Sequence, residues 1–168
     1  MISADSVRNV HEPLADRTDR AILARLQAEG RISNVDLADA VSLSPSACLR
    51  RVKALEASGI IEGYRAEISR TRAGVALTVF TGLKVEGHSR KTSDRIEQAL
   101  LAISAVVACY VVSGQDDFMV EIAAASLADY EHLLLDHILA IPGIIEARST
   151  FAIRTVLSHG PVPLHHWG

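Results

Sequence analysis

The stretch SPSACLRRVKALEASG, residues 44–59, sets the architecture of the N-terminal third of the chain. Ser44 followed by Pro45 is a strong helix start. A serine hydroxyl can accept from the unpaired N–H groups of the first turn, and proline at the first helical position has no N–H to leave orphaned. Gly59 supplies the stop. On a helical wheel between them, Cys48, Leu49, Val52 and Leu55 fall on one side. Ser46, Ala47, Arg50, Lys53 and Ala54 fall on the other, with Arg51 at the border. The apolar seam requires a packing partner. The opposite face offers hydroxyl, methyl, guanidinium and ammonium groups, a set that suits the major groove of DNA, where arginine grips guanine O6 and N7 and small side chains permit close approach. A basic helix face is usually no more than a solvated one, so the helix alone leaves both readings open. The small residues at 46 and 47 favour DNA, because a solvated face more often carries Glu, Lys and Gln.

Upstream, Asp16 is an N-cap for a helix whose stripe is Ile22, Leu23 and Leu26, ending at Gly30. Ser33 is a second N-cap, with Asp36 where a capping box usually has Glu or Gln. Leu37, Ala38 and Val41 form the buried face of this short second helix, and Ser42-Leu43 is the turn into the third. Three short helices joined by tight turns fit a helix-turn-helix. Residues 1–14 read as a flexible N-terminal arm, and 15–65 as the helix-turn-helix domain. Beyond Gly59, the residues Ile60, Ile61 and Tyr64 lead through Gly63 into a hairpin-like or extended segment.

Past a linker at 66–75 the period changes to two, with Leu77, Val79, Leu83 and Val85 on one strand face. A helix is expected over 92–103, a doubly buried strand over 105–114, and another strand over 117–124. A helix from Leu127 to Ile141 is stopped by Pro142-Gly143, and a last strand covers 147–157. The order β-α-β-β-α-β is the ferredoxin-like arrangement, here over 76–157, followed by a tail at 158–168. The fold class is therefore α+β, a helix-turn-helix plus a ferredoxin-like domain.

Composition limits the functions available. The 168 residues are enough for two small domains, and 49% are hydrophobic but only 4% aromatic, so the cores must be aliphatic. The net charge of −3 excludes a uniformly basic nucleic-acid binder. Residues 1–65 carry 9 basic and 9 acidic side chains, whereas 45–65 carry 4 and 2, so positive charge gathers where the third helix lies. Cys48 and Cys109 form no CxxC, and neither a disulfide framework nor a zinc site follows from them. No signal peptide or membrane span is visible, which fits a cytoplasmic protein with no membrane partner. No P-loop, dinucleotide fingerprint or nucleophile–base pair is present, and no catalytic residue, metal site or cofactor is expected. His159, His165 and His166 in the tail lack accompanying carboxylates or thiols at ligand spacing.

RTDRAILARLQAEGRISNVDLADAVSLSPSACLRRVKALEASGIIEGY, residues 17–64, resembles the DNA-binding domain of the leucine-responsive/asparagine-regulator (Lrp/AsnC) family. Asp19, Ile22, Leu23, Leu26, Gly30, Arg31, Leu37, Ala38, Leu43, Ser44, Cys48, Arg51, Val52, Leu55, Gly59, Ile61 and Tyr64 match its pattern in order. Ser42 departs from the family's usual glycine in the turn, which points to a strained or altered turn. CYVVSGQDDFMVEI and Ile141-Pro142-Gly143-Ile144 match the second half, so the resemblance spans about residues 14–157. It implies a winged helix-turn-helix with a C-terminal effector domain of the type called RAM. It also implies double-stranded DNA as partner, homodimers that assemble into tetramers or octamers, and a small effector, usually an amino acid. The DNA-binding residues expected are Arg31, Ser33, Ser44, Ser46, Ala47, Arg50, Arg51 and Lys53. The effector site expected is the turn Ser113, Gly114, Gln115, Asp116 and Asp117, with the spacing Gly-x-x-Asp pointing to Asp117 more than Asp116. Two alternatives stand beside this. One is a tetrapyrrole (sirohaem) decarboxylase-like enzyme of related architecture, for which His132 and His137 are the candidate acid/base residues. The other is an architectural DNA-binding protein with no effector.

Overall fold

The structure, a computed structural model, describes residues 16–87 and 89–164. The expected N-terminal arm, and His165 and His166 of the tail, lie outside the described residues. The described residues divide into two compact units, one of residues 16–66 with 157–164, the other within residues 67–156.

In the N-terminal unit, α1 (Arg17–Ala28), α2 (Asn34–Ala40) and α3 (Pro45–Ala57) each begin at the polar residue expected. Asp16 accepts from the N–H groups of Thr18 and Asp19, Ser33 from Asp36, and Ser44 from Ala47. Asp36 answers its cap, since the Ser33 hydroxyl donates to its carboxylate at 2.6 Å. Ile22, Leu23, Leu37, Ala38, Cys48 and Leu55 make the buried core. Leu49, expected on the apolar seam of α3, is instead exposed. Two short partner helices cover a stripe through Cys48, Val52 and Leu55, and Leu49 falls outside it.

α2 and α3 end in the same hydrogen-bonded motif. The Leu43 N–H reaches the Ala38 carbonyl and the Ser42 N–H that of Asp39. In the same way the Ile60 N–H reaches Leu55 and the Gly59 N–H reaches Glu56. The motif needs a left-handed residue just past each helix. Gly59 provides it at φ 76°, but Ser42 takes it with a side chain attached, at φ 56°. Residues 62–69 follow α3 without strand pairing, and the Tyr64 hydroxyl donates back to Glu56 at 3.0 Å.

The C-terminal unit runs β1 (Leu77–Val85), α4 (Arg90–Leu101), β2 (Val106–Val111), β3 (Phe118–Ala124), α5 (Leu127–Leu133) and β4 (Ile144–Phe151). The strands form one antiparallel sheet in the order β2-β3-β1-β4, the ferredoxin-like topology. Val79, Leu83, Phe118, Val120 and Ile122 on one sheet face pack with Ile96 and Leu100 of α4 and with Tyr130 and Ile138. Thr81 is fully buried there, and its hydroxyl bonds the Tyr130 hydroxyl at 2.9 Å; Tyr130 in turn bonds Ser149. Without those partners a buried hydroxyl would cost about 1–3 kcal/mol.

Several expected boundaries move. The helix expected at 92–103 starts two residues earlier, because Ser89 caps it. α5 continues as a π-helical turn over Leu134–Ile138, closed by the Leu139 N–H on the Leu134 carbonyl. The strand expected at 105–114 is β2, six residues long and not doubly buried. It lies at the sheet edge, with Val107, Tyr110 and Val111 exposed. The strand expected at 147–157 runs Ile144–Phe151, where β1 offers partners from Val85 to Val79. Ile153, Val156 and Leu157 lie beyond the ladder and are exposed. From Glu67 onward the segment expected as a linker groups with the C-terminal unit. There Arg70 bonds the Thr78 hydroxyl at 3.0 Å and pairs with Glu121 at 2.7 Å. The tail groups with the N-terminal unit.

Candidate DNA-reading face and effector site

Capping and packing fix the pose of α3, and what remains outside is the set expected to meet DNA. Ser46, Arg50 and Lys53 are exposed, and Ala47 is half-buried. Arg31, in the loop before α2, is exposed as well. Ser33 and Ser44 spend their hydroxyls on their own helix starts, and Ser44 also lies 3.3 Å from the Ser46 hydroxyl. Arg51 is placed differently from Arg50. Its two terminal nitrogens reach back to α1, one to Asp19 at 2.9 Å and the other to Asp16 at 2.8 Å. That fork makes Arg51 a brace between α3 and α1. Burial works to raise the Asp16 carboxyl. The Arg51 guanidinium and the N–H groups of Asp19 and Thr18 outweigh it and hold the group below the usual aspartate value. Hydrogen bonds to Asp19 and Asp16 push Arg51 higher still, so the brace keeps both charges. A further tie was not foreseen from the sequence: the Asn34 amide donates to the Pro45 carbonyl at 2.9 Å, joining the starts of α2 and α3.

The loop from Val112 to Asp117 joins β2 to β3. Ser113, Gly114 and Gln115 are exposed, with Gly114 at φ 135°. Asp117 is a latch within the fold. Its N–H donates to the Leu83 carbonyl, and its carboxylate accepts from the Val85 N–H at 2.9 Å. Asp116 faces the other way, over the sheet surface that the helices leave open. Its carboxylate lies over Gly82, so close that a Cβ on Gly82 would stand 2.3 Å from one oxygen. Arg148 of β4 approaches the same carboxylate at 3.4 Å and holds Glu146 at 3.0 Å. Phe80, Gly82, Asp116, Met119, Arg148 and Thr150 line an open depression of about 490 Å³. Of the five turn residues expected at the effector site, only Asp116 lines it. Arg148 was not singled out from the sequence. It reaches Asp116 only through the register that sets Gly82 opposite it.

His132 and His137 are both exposed on the surface of their helix, and His132 is paired with Asp136 at 2.6 Å. Burial pushes the thiols of Cys48 and Cys109 up, with Glu97 adding to the rise at Cys109. Both are therefore poor nucleophiles. Among the described residues no group of three or more His, Cys, Asp or Glu could hold a metal ion, and no helix is long and apolar enough to cross a membrane.

A capped helix-turn-helix followed by a ferredoxin-like unit defines a DNA-binding transcription regulator with a ligand-binding domain. Residues 16–62 match the winged helix-turn-helix DNA-binding model, and residues 78–162 match the Lrp/AsnC ligand-binding domain. The chain belongs to the Lrp/AsnC family. It is 34% identical over 149 residues to the Bkd operon transcriptional regulator of Pseudomonas aeruginosa, covering 89% of this chain and 97% of that one. It is 33% identical over 141 residues to the leucine-responsive regulatory protein of Escherichia coli, covering 84% and 86%. A transcriptional regulator of Neisseria meningitidis, crystallised as a complex with L-methionine, superposes with a TM-score of 0.86 at 30% identity. That match covers 90% of this chain and 98% of that one. These similarities do not favour the decarboxylase-like reading.

Proposed function

We propose that this regulator is not an enzyme but a cytoplasmic homo-oligomer whose hold on operator DNA is set by an α-amino acid. The observation that carries the effector is the pair of opposed charges at the rim of the open depression. The Arg148 guanidinium is a seat for a carboxylate and the Asp116 carboxylate a seat for an ammonium group, with Phe80 and Met119 beside them for an apolar side chain. Gly114 lets neighbouring N–H groups of the exposed turn approach an anion. The L-methionine held by the Neisseria relative supports the same ligand class. On the DNA side, Ser46, Ala47, Arg50 and Lys53 read or grip the duplex, with Arg31, Ser33 and Ser44 at the flanking helix starts.

The test is thermal stabilisation by each of the twenty common amino acids, followed by a DNA titration with and without the best of them. Asp116→Ala and Arg148→Ala are each expected to weaken that amino acid about tenfold or more, the worth of one charge-assisted contact. DNA affinity without the amino acid should stay near wild type. Wild-type amino-acid sensitivity in both variants would move the site elsewhere. If no amino acid shifts the wild type, the protein is the effector-independent architectural binder.

A further inference from the structure

The tail carries an unusual arrangement on the DNA-binding unit. Residues 157–164 group with α1–α3, although they follow the last strand of the other unit. Gln27, on the exposed side of α1, holds Val162 by both of its backbone groups. The Val162 N–H donates to Gln27 Oε1 at 2.5 Å, and Gln27 Nε2 donates to the Val162 carbonyl at 3.3 Å. A side-chain amide that pairs with an N–H and a C=O of the same residue imitates one rung of a strand ladder. Val162 sits between Pro161 and Pro163, which have no N–H, so it is the one residue of that triplet able to complete the rung. The prolines also hold Gly160 and Val162 extended, which lowers the entropy lost on docking. Two residues on, Leu164 packs against the core cluster of the helix-turn-helix.

We propose that the α1 face around Gln27 is a receptor for the Pro161-Val162-Pro163 segment. Its docking carries the state of the effector unit to the DNA-reading unit. The connection is short. Arg148 and Thr150 of β4 line the proposed effector site, β4 ends at Phe151, and the tail joins the N-terminal unit from Leu157. A change in β4 is therefore delivered to α1 through a chain segment that α1 grips at a defined residue. The segment at residues 66 and 67 is the other covalent crossing between the units. This inference rests on the amino-acid reading for its input and on nothing but the tail for its route.

The test uses the full-length protein with Gln27→Ala and Gln27→Met, the second keeping the length of the side chain without its hydrogen bonds. Gln27 is exposed, so neither change opens the core. Both variants should bind DNA selected from a random pool within about twofold of wild type. In the wild type, the amino acid that stabilises it most should change DNA affinity about fivefold or more, in the usual range of such coupling; in the variants that ratio should fall to about one. A wild-type ratio in Gln27→Met overturns the proposal. So does collapse of DNA binding in both variants, which would make the tail a brace alone. Hydrogen exchange gives an arm that needs no effector. By reciprocity, DNA should alter the protection of the β4 amides in the wild type and not in Gln27→Met. If no amino acid acts on the wild type, the amino-acid reading fails and this arm alone decides. A change present in the wild type and lost in the variant sustains the route, and no change, or one that survives in Gln27→Met, overturns it.

Discussion

Ser42 and Arg51 show what single positions contribute. A left-handed non-glycine residue carries a penalty of about 1–2 kcal/mol, offset in part by the freedom a glycine would lose on folding. Ser42→Gly should therefore stabilise the N-terminal unit by about 0.5–1 kcal/mol, read as a higher denaturant midpoint with no change in DNA affinity. An unchanged or lower midpoint would show that the serine relieves its own strain. Arg51→Ala should do the opposite. It strips the charge partner from Asp19, whose side chain is only 12% exposed, at a cost of about 1–3 kcal/mol. Any loss of DNA binding should then follow loss of folding and recover at lower temperature. Asp16 makes the brace pH-dependent. Its carboxyl is lowered in the folded state, so its contribution is fully present above the ordinary aspartate value and is lost as pH falls through the folded one. The stability gap between wild type and Asp16→Asn should be full at neutral pH and narrow only as pH falls below the ordinary aspartate value of about 4 in acid titrations. The caps were legible in the sequence, because each depends on residues within three positions, and the departure at Ser42 was legible only against the family's pattern. The brace was not: it joins residues 35 and 32 positions apart, and a wheel of α3 alone leaves Arg51 merely at a border.

At the level of elements, α3 is the part proposed to answer to DNA, and Arg50 separates reading from folding. Arg50→Ala should weaken specific binding by about 1–3 kcal/mol if the side chain reads a base, while the melting temperature stays at the wild-type value. If Arg50 instead touches phosphate, the loss should be uniform across sequences and the salt slope should fall by about one. Full retention of operator affinity would remove it from the interface. The strands were legible in type and order, since period-two alternation at 77–85 and the apolar runs at 105–114 and 117–124 leave little choice. Their ends were not. β4 ends at Phe151, opposite Val79, with the Ala152 N–H on the Thr78 carbonyl as a last tie to β1, while its apolar alternation continues through Ile153. Similarly, β2 reads as buried on both sides because its composition is that of a central strand, yet topology puts it at an edge. The proposed effector site divides the same way. The turn at 113–117 stands out through Gly114 and two aspartates, but which aspartate faces the depression depends on pairing with Gly82 and Arg148 across two strands.

For the whole molecule, the exposed apolar side chains indicate assembly. Phe80 and Tyr110 on the sheet, and Leu127, Leu135 and Leu139 on the helices, are exposed in the single chain. One helix-turn-helix covers too little DNA for high specificity, and a two-fold pair would present two about 34–36 Å apart or at a multiple of that spacing. Light scattering at micromolar concentration should therefore give a dimer or a multiple of it, formed through residues 76–157. A monomer under those conditions would contradict this.

The return of the tail to α1 also has a consequence during synthesis. The DNA-binding unit is built from both ends of the described chain, with Leu164 packed on a core that otherwise comes from residues 22–61. A ribosome releases α1–α3 early, but the unit they form lacks its last apolar cover until everything through Leu164 has emerged. The part that reads DNA is thus the last to be finished. A nascent chain stalled inside the effector unit would carry three helices with the Gln27 rung empty and no partner for that part of the core.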